Sequence, residues 1–187
     1  MTPLERVLAL LPPFLREGRG PVPVRPFVLG LDGRSGAGKT ELARAVAAAV
    51  PGAQVVALED AYRGWTGLRA GVEEIASGVL APLREGRPGS YRRYDWHAER
   101  LGEVVRVEPS AVVVLEGCGA GSLPCTPYLD ALVWLEAPEY ERHHRAMARD
   151  DGAWLDRWST WAAQESALLA EHDARAAADL VLDTSTE

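Results

Sequence analysis

The sequence predicts a three-layer α/β fold, a five-stranded parallel sheet flanked by helices, on three observations. Short apolar runs alternate along the chain with stretches of helical period, which is the pattern of strand–helix–strand units. The first such run leads directly into a Gly-rich loop and then an Ala-rich stretch, as a strand, turn and helix would. Two later runs, 111–115 and 131–135, are apolar at every position, as strands buried on both faces are.

The elements follow in order. Leu4, Val7, Leu8 and Leu11 recur at helical spacing and Pro12-Pro13 end the pattern, so residues 1–25 read as a helix lying on the body and a Pro-rich lead-in. Residues 27–31 form the first strand, 41–50 a helix stopped by Pro51-Gly52, and 54–58 a second strand. Beyond a turn-rich stretch over 59–67, the positions Leu68, Val72, Ile75, Val79, Leu80 and Leu83 predict one helix that ends at Gly86 and Pro88-Gly89. Strands over 111–115 and 131–135 come next, then helices over 138–150 and 153–178, a last strand over 180–182 and a short tail from 184.

Length and composition bound the rest. A chain of 187 residues, 47% hydrophobic and 25% charged, suits one compact, ordered domain spanning 1–187. Its net charge of −7, from 20 basic and 27 acidic residues, offers no overall field for DNA or RNA, so no nucleic-acid partner is expected. Cys118 and Cys125 are too few for a disulfide framework and have no metal-ligand spacing, which fits a reducing cytoplasm. No apolar run has the length of a signal peptide or membrane span, and no membrane partner is expected. Formation of a homo-oligomer is left open.

The loop carries the chemistry. Gly33-Arg34-Ser35-Gly36-Ala37-Gly38-Lys39-Thr40 places a glycine at each end of four intervening residues, followed by Lys and Thr. Glycines let backbone N–H groups close around phosphate oxygens, the Lys neutralises charge and the Thr hydroxyl can ligate magnesium. The strand before and the helix after supply the context that aims a helix N-terminus at the phosphates. ATP and Mg²⁺ are therefore the expected cofactors; Arg34 either contacts a phosphate or points to solvent. Magnesium in such a site also needs an acid at the end of a neighbouring strand, and Glu116, followed by Gly117, ends the strand 111–115. A second pair, Glu59-Asp60, ends the strand 54–58, where one of the two carboxylates could accept a proton from an attacking hydroxyl.

The runs 30–40 (GLDGRSGAGKT), 58–63 (LEDAYR) and 113–117 (VVLEG) together resemble the uridine kinase-like family of P-loop kinases, in order and spacing, over about residues 26–183. The resemblance implies a P-loop NTPase fold with a short helical lid and an activity that moves the γ-phosphoryl group of ATP to a hydroxyl of a small molecule. Relatives such as phosphoribulokinase and pantothenate kinase carry a catalytic Asp in a pattern Asp-x-aromatic. Aligned on Tyr62, that base falls on Glu59, while the loose spacing also admits Asp60. Arg142, Arg145 and Arg149, at offsets of three and four, share one face of the helix over 138–150 and resemble the arginines of the family's lid. His143 and His144 have no partner by spacing and are expected at the surface.

The densest aromatic and charged run is Tyr91-Arg92-Arg93-Tyr94-Asp95-Trp96-His97, suited to a pocket for a small polar acceptor. Tyr94-Asp95-Trp96 resembles the Tyr-Asp-Phe stretch lining the family's nucleoside site, but Glu99 stands where the family has His, and the chain is shorter between Glu59 and Tyr94. Uridine is therefore not implied as the acceptor. Trp65 and the stripe Trp154, Trp158 and Trp161 wall the pocket or simply pack, and Cys118 lies near the site without an activating neighbour. Two other readings stay open: a nucleotide-sensing or ATP-hydrolysing regulator that uses residues 91–97 as a protein-binding surface, and a nucleoside monophosphate kinase that uses Arg92 and Arg93 on the acceptor's phosphate.

Overall fold

A computed structural model describes residues 1–18, 23–149 and 155–185. Its main sheet has the order β2-β5-β1-β6-β7, with β1 (Phe27–Asp32), β2 (Ala53–Ala57), β5 (Val112–Glu116), β6 (Ala131–Glu136) and β7 (Leu180–Asp183) all parallel. Each of the five expected strands is present within a residue at either end.

Alternation along the central strands explains why both faces are covered. Val112 and Val114 of β5, with Leu29 and Leu31 of β1, enter one core with Leu42, Ala43 and Val46 of α3 (Lys39–Ala49). Val113 and Leu115, with Val28, enter the opposite core with Leu68, Val72 and Ile75 of α4 (Leu68–Ile75). Strands whose neighbouring residues point to opposite faces therefore have to be apolar throughout.

The N-terminal segment forms α1 (Pro3–Leu8), closed by a capping box between Thr2 and Glu5, and α2 (Pro13–Arg16). Val7, Leu11 and Leu15 anchor it in the α3 core. The helix expected over 68–83 is interrupted: α4 passes through a π-helical turn at Ala76–Leu80 into α5 (Ala81–Arg84). Pro82 has no N–H to continue the ladder, and the Ala81 N–H reaches back five residues to the Ala76 carbonyl. The segment expected as a lid is the helix α6 (Glu139–Arg149), and the long helix after it divides into α7 (Trp158–Glu171) and α8 (Ala174–Ala177), the latter capped by Asp173. Trp154 and Asp150 lie outside the described residues.

One element has no counterpart in the sequence reading. β3 (Gly89–Asp95) and β4 (Arg100–Val107) pair as an antiparallel hairpin apart from the main sheet, with an irregularity between Arg92 and Tyr94. Tyr91 and Val107 are its buried anchors, while Arg92, Arg93 and Asp95 face outward. Thr184, read as the start of a tail, is docked: its N–H donates to the Glu136 carbonyl (2.8 Å) and its hydroxyl to the Ala37 carbonyl (3.0 Å). No helix among the described residues is long and apolar enough to cross a membrane.

Candidate active site

The register of the sheet brings the functional residues to one edge. Leu31 of β1 and Ala57 of β2 both lie abreast of Glu116 of β5, so the phosphate loop, the Glu59 turn and Glu116 leave the sheet at the same level. This is the carboxyl edge at which open parallel sheets bind ligands.

The loop is held from inside. Asp32, buried at the end of β1, accepts from the N–H groups of Gly33 (2.7 Å), Gly119 (2.9 Å) and Gly121 (2.8 Å), tying the loop to the turn after β5. Burial raises its carboxyl above the ordinary value, against those bonds and Lys39, which work the other way. Gly33 has φ +143°, and a Cβ there would lie 2.2 Å from the Leu135 carbonyl oxygen, so no larger residue fits the entry to the loop. Lys39 is buried and its ammonium donates to the carbonyls of Gly33 (2.6 Å) and Arg34 (3.1 Å). Burial disfavours its charge, but Cys118, Glu165, Asp32 and Glu116 outweigh burial and hold it above the usual lysine value.

Glu116 is buried and accepts from the Thr40 hydroxyl at 3.1 Å, so the two oxygen ligands expected for magnesium are already paired. Burial pushes the Glu116 carboxyl up, while Lys39 and the Thr40 hydroxyl pull it down. Among the described residues no group of three or more His, Cys, Asp or Glu is gathered as a metal site. The hydroxyl–carboxylate pair therefore fits an ion that takes its other ligands from phosphates and water.

The two acids after β2 diverge. They sit in a 3₁₀ turn, Leu58–Ala61, which turns adjacent side chains different ways. Glu59 lines the cleft that also exposes Lys39, Thr40 and Glu116. Asp60 is instead gripped by the hairpin, accepting from the Tyr91 hydroxyl (3.1 Å) and Arg93 Nε (3.2 Å). Gly117 after Glu116, with φ +138°, lets Leu58 and the Tyr62 hydroxyl approach the backbone to within 2.7 and 3.1 Å of where a Cβ would be.

The arginines of α6 divide as well. Arg145 and Arg149 line the cleft, Arg145 bonding the Thr184 carbonyl (2.8 Å) and Glu141 (2.8 Å). Arg142 is buried behind the loop, donating to the carbonyls of Ser35 (3.2 Å) and Ala137 (3.1 Å) under the ring of Trp158. Arg34 turns to α7, where it bonds Ser166 and lies 3.8 Å from Glu165. His143 is half-buried against Trp158, with ring centroids 5.0 Å apart, rather than at the surface.

The far end of the cleft is aromatic. Tyr94 packs on Trp96 (5.3 Å between ring centroids), Trp96 on Trp65 (5.3 Å), Trp65 on Trp161 (6.2 Å) and Trp161 on Tyr62 (5.1 Å), each edge to face. Tyr62 is buried and donates to the Cys118 carbonyl (2.7 Å); burial holds its hydroxyl well above the ordinary tyrosine value. Arg93 is paired with Asp60 and Glu103, and Arg92 donates to the Gly102 carbonyl within the hairpin.

No family model matches the sequence, and no curated protein matches it. Solved structures do match by shape. One is a possible uridine kinase from Bacillus stearothermophilus, with TM-score 0.66, 18% identity, and 96% of this chain and 95% of that chain covered. The chain has a P-loop kinase fold. A protein assigned as a fructose transport system kinase from Silicibacter has TM-score 0.59 at 23% identity, covering 96% of each chain. A shikimate kinase from Acinetobacter baumannii, bound to shikimate, has TM-score 0.53 at 15% identity, covering 87% of this chain and 86% of that one.

Within the P-loop kinase fold, three residues of the site escaped the sequence reading. Asp32 stands just before the loop pattern, which begins at Gly33, and no residue type is specified there. Glu165 is an unremarked acid on a helix, yet its carboxylate is buried against the loop. Thr184 joins the last strand to the loop and was assigned to the tail. Cys118 lies where expected, and burial pushes its thiol up to about 12.

Proposed function

We propose that this chain transfers the γ-phosphoryl group of ATP to a hydroxyl of a small molecule that is uncharged or cationic. The observation that carries the reading is one cleft of about 1510 Å³ in which Lys39, Thr40 and Glu116 of the phosphate end share space with the Glu59 carboxylate and the aromatic wall. A phosphate loop alone serves many activities. A carboxylate opening into the same cleft beside a place for a small molecule is what phosphoryl transfer needs in addition.

Loop N–H groups and Lys39 would hold the nucleotide's phosphates, and Thr40 with Glu116 would hold magnesium. ATP-Mg, when bound, supplies the phosphoryl group and the metal's charge. Glu59 accepts the proton of the acceptor hydroxyl as that oxygen forms its bond to phosphorus and the bond to the ADP oxygen breaks. Arg145 and Arg149 line the same cleft and can balance the charge spread over the transferring group. Tyr62, Trp65, Tyr94 and Trp96 exclude water from the acceptor.

Charge favours this acceptor class. Glu59, Asp95 and Glu103 line the acceptor end, while Arg93 is already paired with Asp60 and Glu103. A nucleoside monophosphate would meet these carboxylates, with Arg92 outside the cleft lining and turned to the Gly102 carbonyl and Arg93 already ion-paired, which counts against that alternative. The test is ADP release from ATP-Mg in the presence of nucleosides, sugars, amino alcohols and nucleoside monophosphates. Stimulation by a neutral or cationic alcohol supports the reading, and stimulation by monophosphates alone, or by none, removes it.

A further inference from the structure

Glu165 of α7 is a buried carboxylate that the proposed reaction does not use. Its Oε1 accepts from the Ser35 N–H (2.8 Å), the Ser35 hydroxyl (2.9 Å), the Trp161 indole N–H (3.1 Å) and the Cys118 thiol (3.2 Å). Arg34 lies 3.8 Å from its other oxygen. Ser35 stands in the middle of the phosphate loop, and both of its donors are committed to this one oxygen.

A loop that folds its N–H groups around an anion is here holding an anion of its own chain. The bonds from Ser35 are the kind that a phosphate oxygen would otherwise accept. A carboxylate at this place also raises the energy of any further negative charge brought to the loop, and a triphosphate brings more than a diphosphate. The contact reaches the acceptor end too. The Trp161 indole that donates to Glu165 packs edge to face on Tyr62 and Trp65, and the neighbouring Gln164 donates to the Trp65 carbonyl (2.7 Å).

We propose that Glu165 is a positioning residue that occupies Ser35 until the terminal phosphoryl group of the nucleotide takes its place, and so sets the loop's preference between tri- and diphosphate. This inference rests on the loop binding ATP, as read above, but not on any acceptor.

Calorimetry without acceptor tests it, using ADP-Mg and a slowly hydrolysed ATP analogue with Mg²⁺ on wild type, Glu165→Gln and Glu165→Ala. Neutralising the carboxylate raises the ratio of triphosphate to diphosphate affinity by about tenfold. The ratio is internal to each protein, so general damage to the loop weakens both nucleotides and cancels. An unchanged or lowered ratio in both variants overturns the proposal, whereas failure of wild type to bind either nucleotide overturns the reading of the loop itself. Should neither variant fold, a wild-type structure with the analogue decides: loss of the Ser35–Glu165 bond is expected, and its persistence contradicts the role.

Discussion

The two ends of the cleft are built differently. At the phosphate end the functional groups are fixed by backbone: Lys39 and Glu116 are 7% and 4% exposed, and Asp32 locks the loop through three N–H groups. At the acceptor end they are side chains on a 3₁₀ turn and an outlying hairpin, with Glu59 and Arg93 exposed and Tyr94 and Trp96 only half-buried. The phosphate end needs one geometry, since every nucleotide presents the same phosphates. On the proposed function the acceptor end is free to change with its substrate, and side chains on a peripheral ribbon change without disturbing the sheet.

Substitutions at the two ends should therefore separate. Lys39→Ala should lower turnover by roughly a thousandfold and weaken ATP binding, by analogy with the loss of one preorganised charge at a transition state. Acceptor affinity, followed by tryptophan fluorescence, should barely move; an equal loss there would break the distinction between the ends. Glu59→Gln should cost about 10²–10⁴-fold in kcat with ATP affinity intact. Asp60→Asn should cost less than about tenfold and act mainly on acceptor KM, because Asp60 positions Tyr91 and Arg93 rather than facing the cleft. If the Asp60 variant is the dead one, the base has been assigned to the wrong acid.

Glu116 sharpens the comparison through pH. Its carboxyl is raised above the ordinary 4.5, chiefly by burial, so the folded chain holds that proton more tightly than the unfolded chain. The stability it contributes is present at low pH and is lost as pH rises from about 4.5 through the folded value. Glu116→Gln should consequently make the nucleotide-free protein melt at a higher temperature than wild type at about pH 8, with the gap closing on acidification, while magnesium-dependent turnover falls roughly a hundredfold. The smallest effect is expected for Tyr62→Phe. It strands the buried Cys118 carbonyl and should cost about 1–3 kcal/mol in urea unfolding, with less effect on turnover than Glu59→Gln.

What could be read from sequence follows the same division. The five strands and the loop were legible because burial on both faces forces continuous apolar runs and because tight backbone approach forces glycine, as at Gly33 beside the Leu135 carbonyl. The hairpin was not, since the only buried residues of β3 and β4 beyond Gly89 are Tyr91 and Val107 and much of the rest is charged, leaving no clean alternation to detect. The choice between Glu59 and Asp60 depended on a single turn, whose direction no spacing records. Arg142 had the offset of its neighbours, yet it went behind the loop because Trp158 of α7 covers it, a contact across sixteen positions of chain. Glu165 gave no signal because its role exists only through its approach to Ser35, 130 residues away.

Transfer of label from γ-labelled ATP-Mg, followed by mass spectrometry of the products, tests the central claim most directly, with wild type and Glu59→Gln presented with the same neutral, cationic and anionic alcohols. The account predicts that label moves to a neutral or cationic alcohol with wild type and that the transfer is lost in Glu59→Gln while ATP still binds. Label appearing only in inorganic phosphate, at a rate that no alcohol alters and that Glu59→Gln shares, would contradict it.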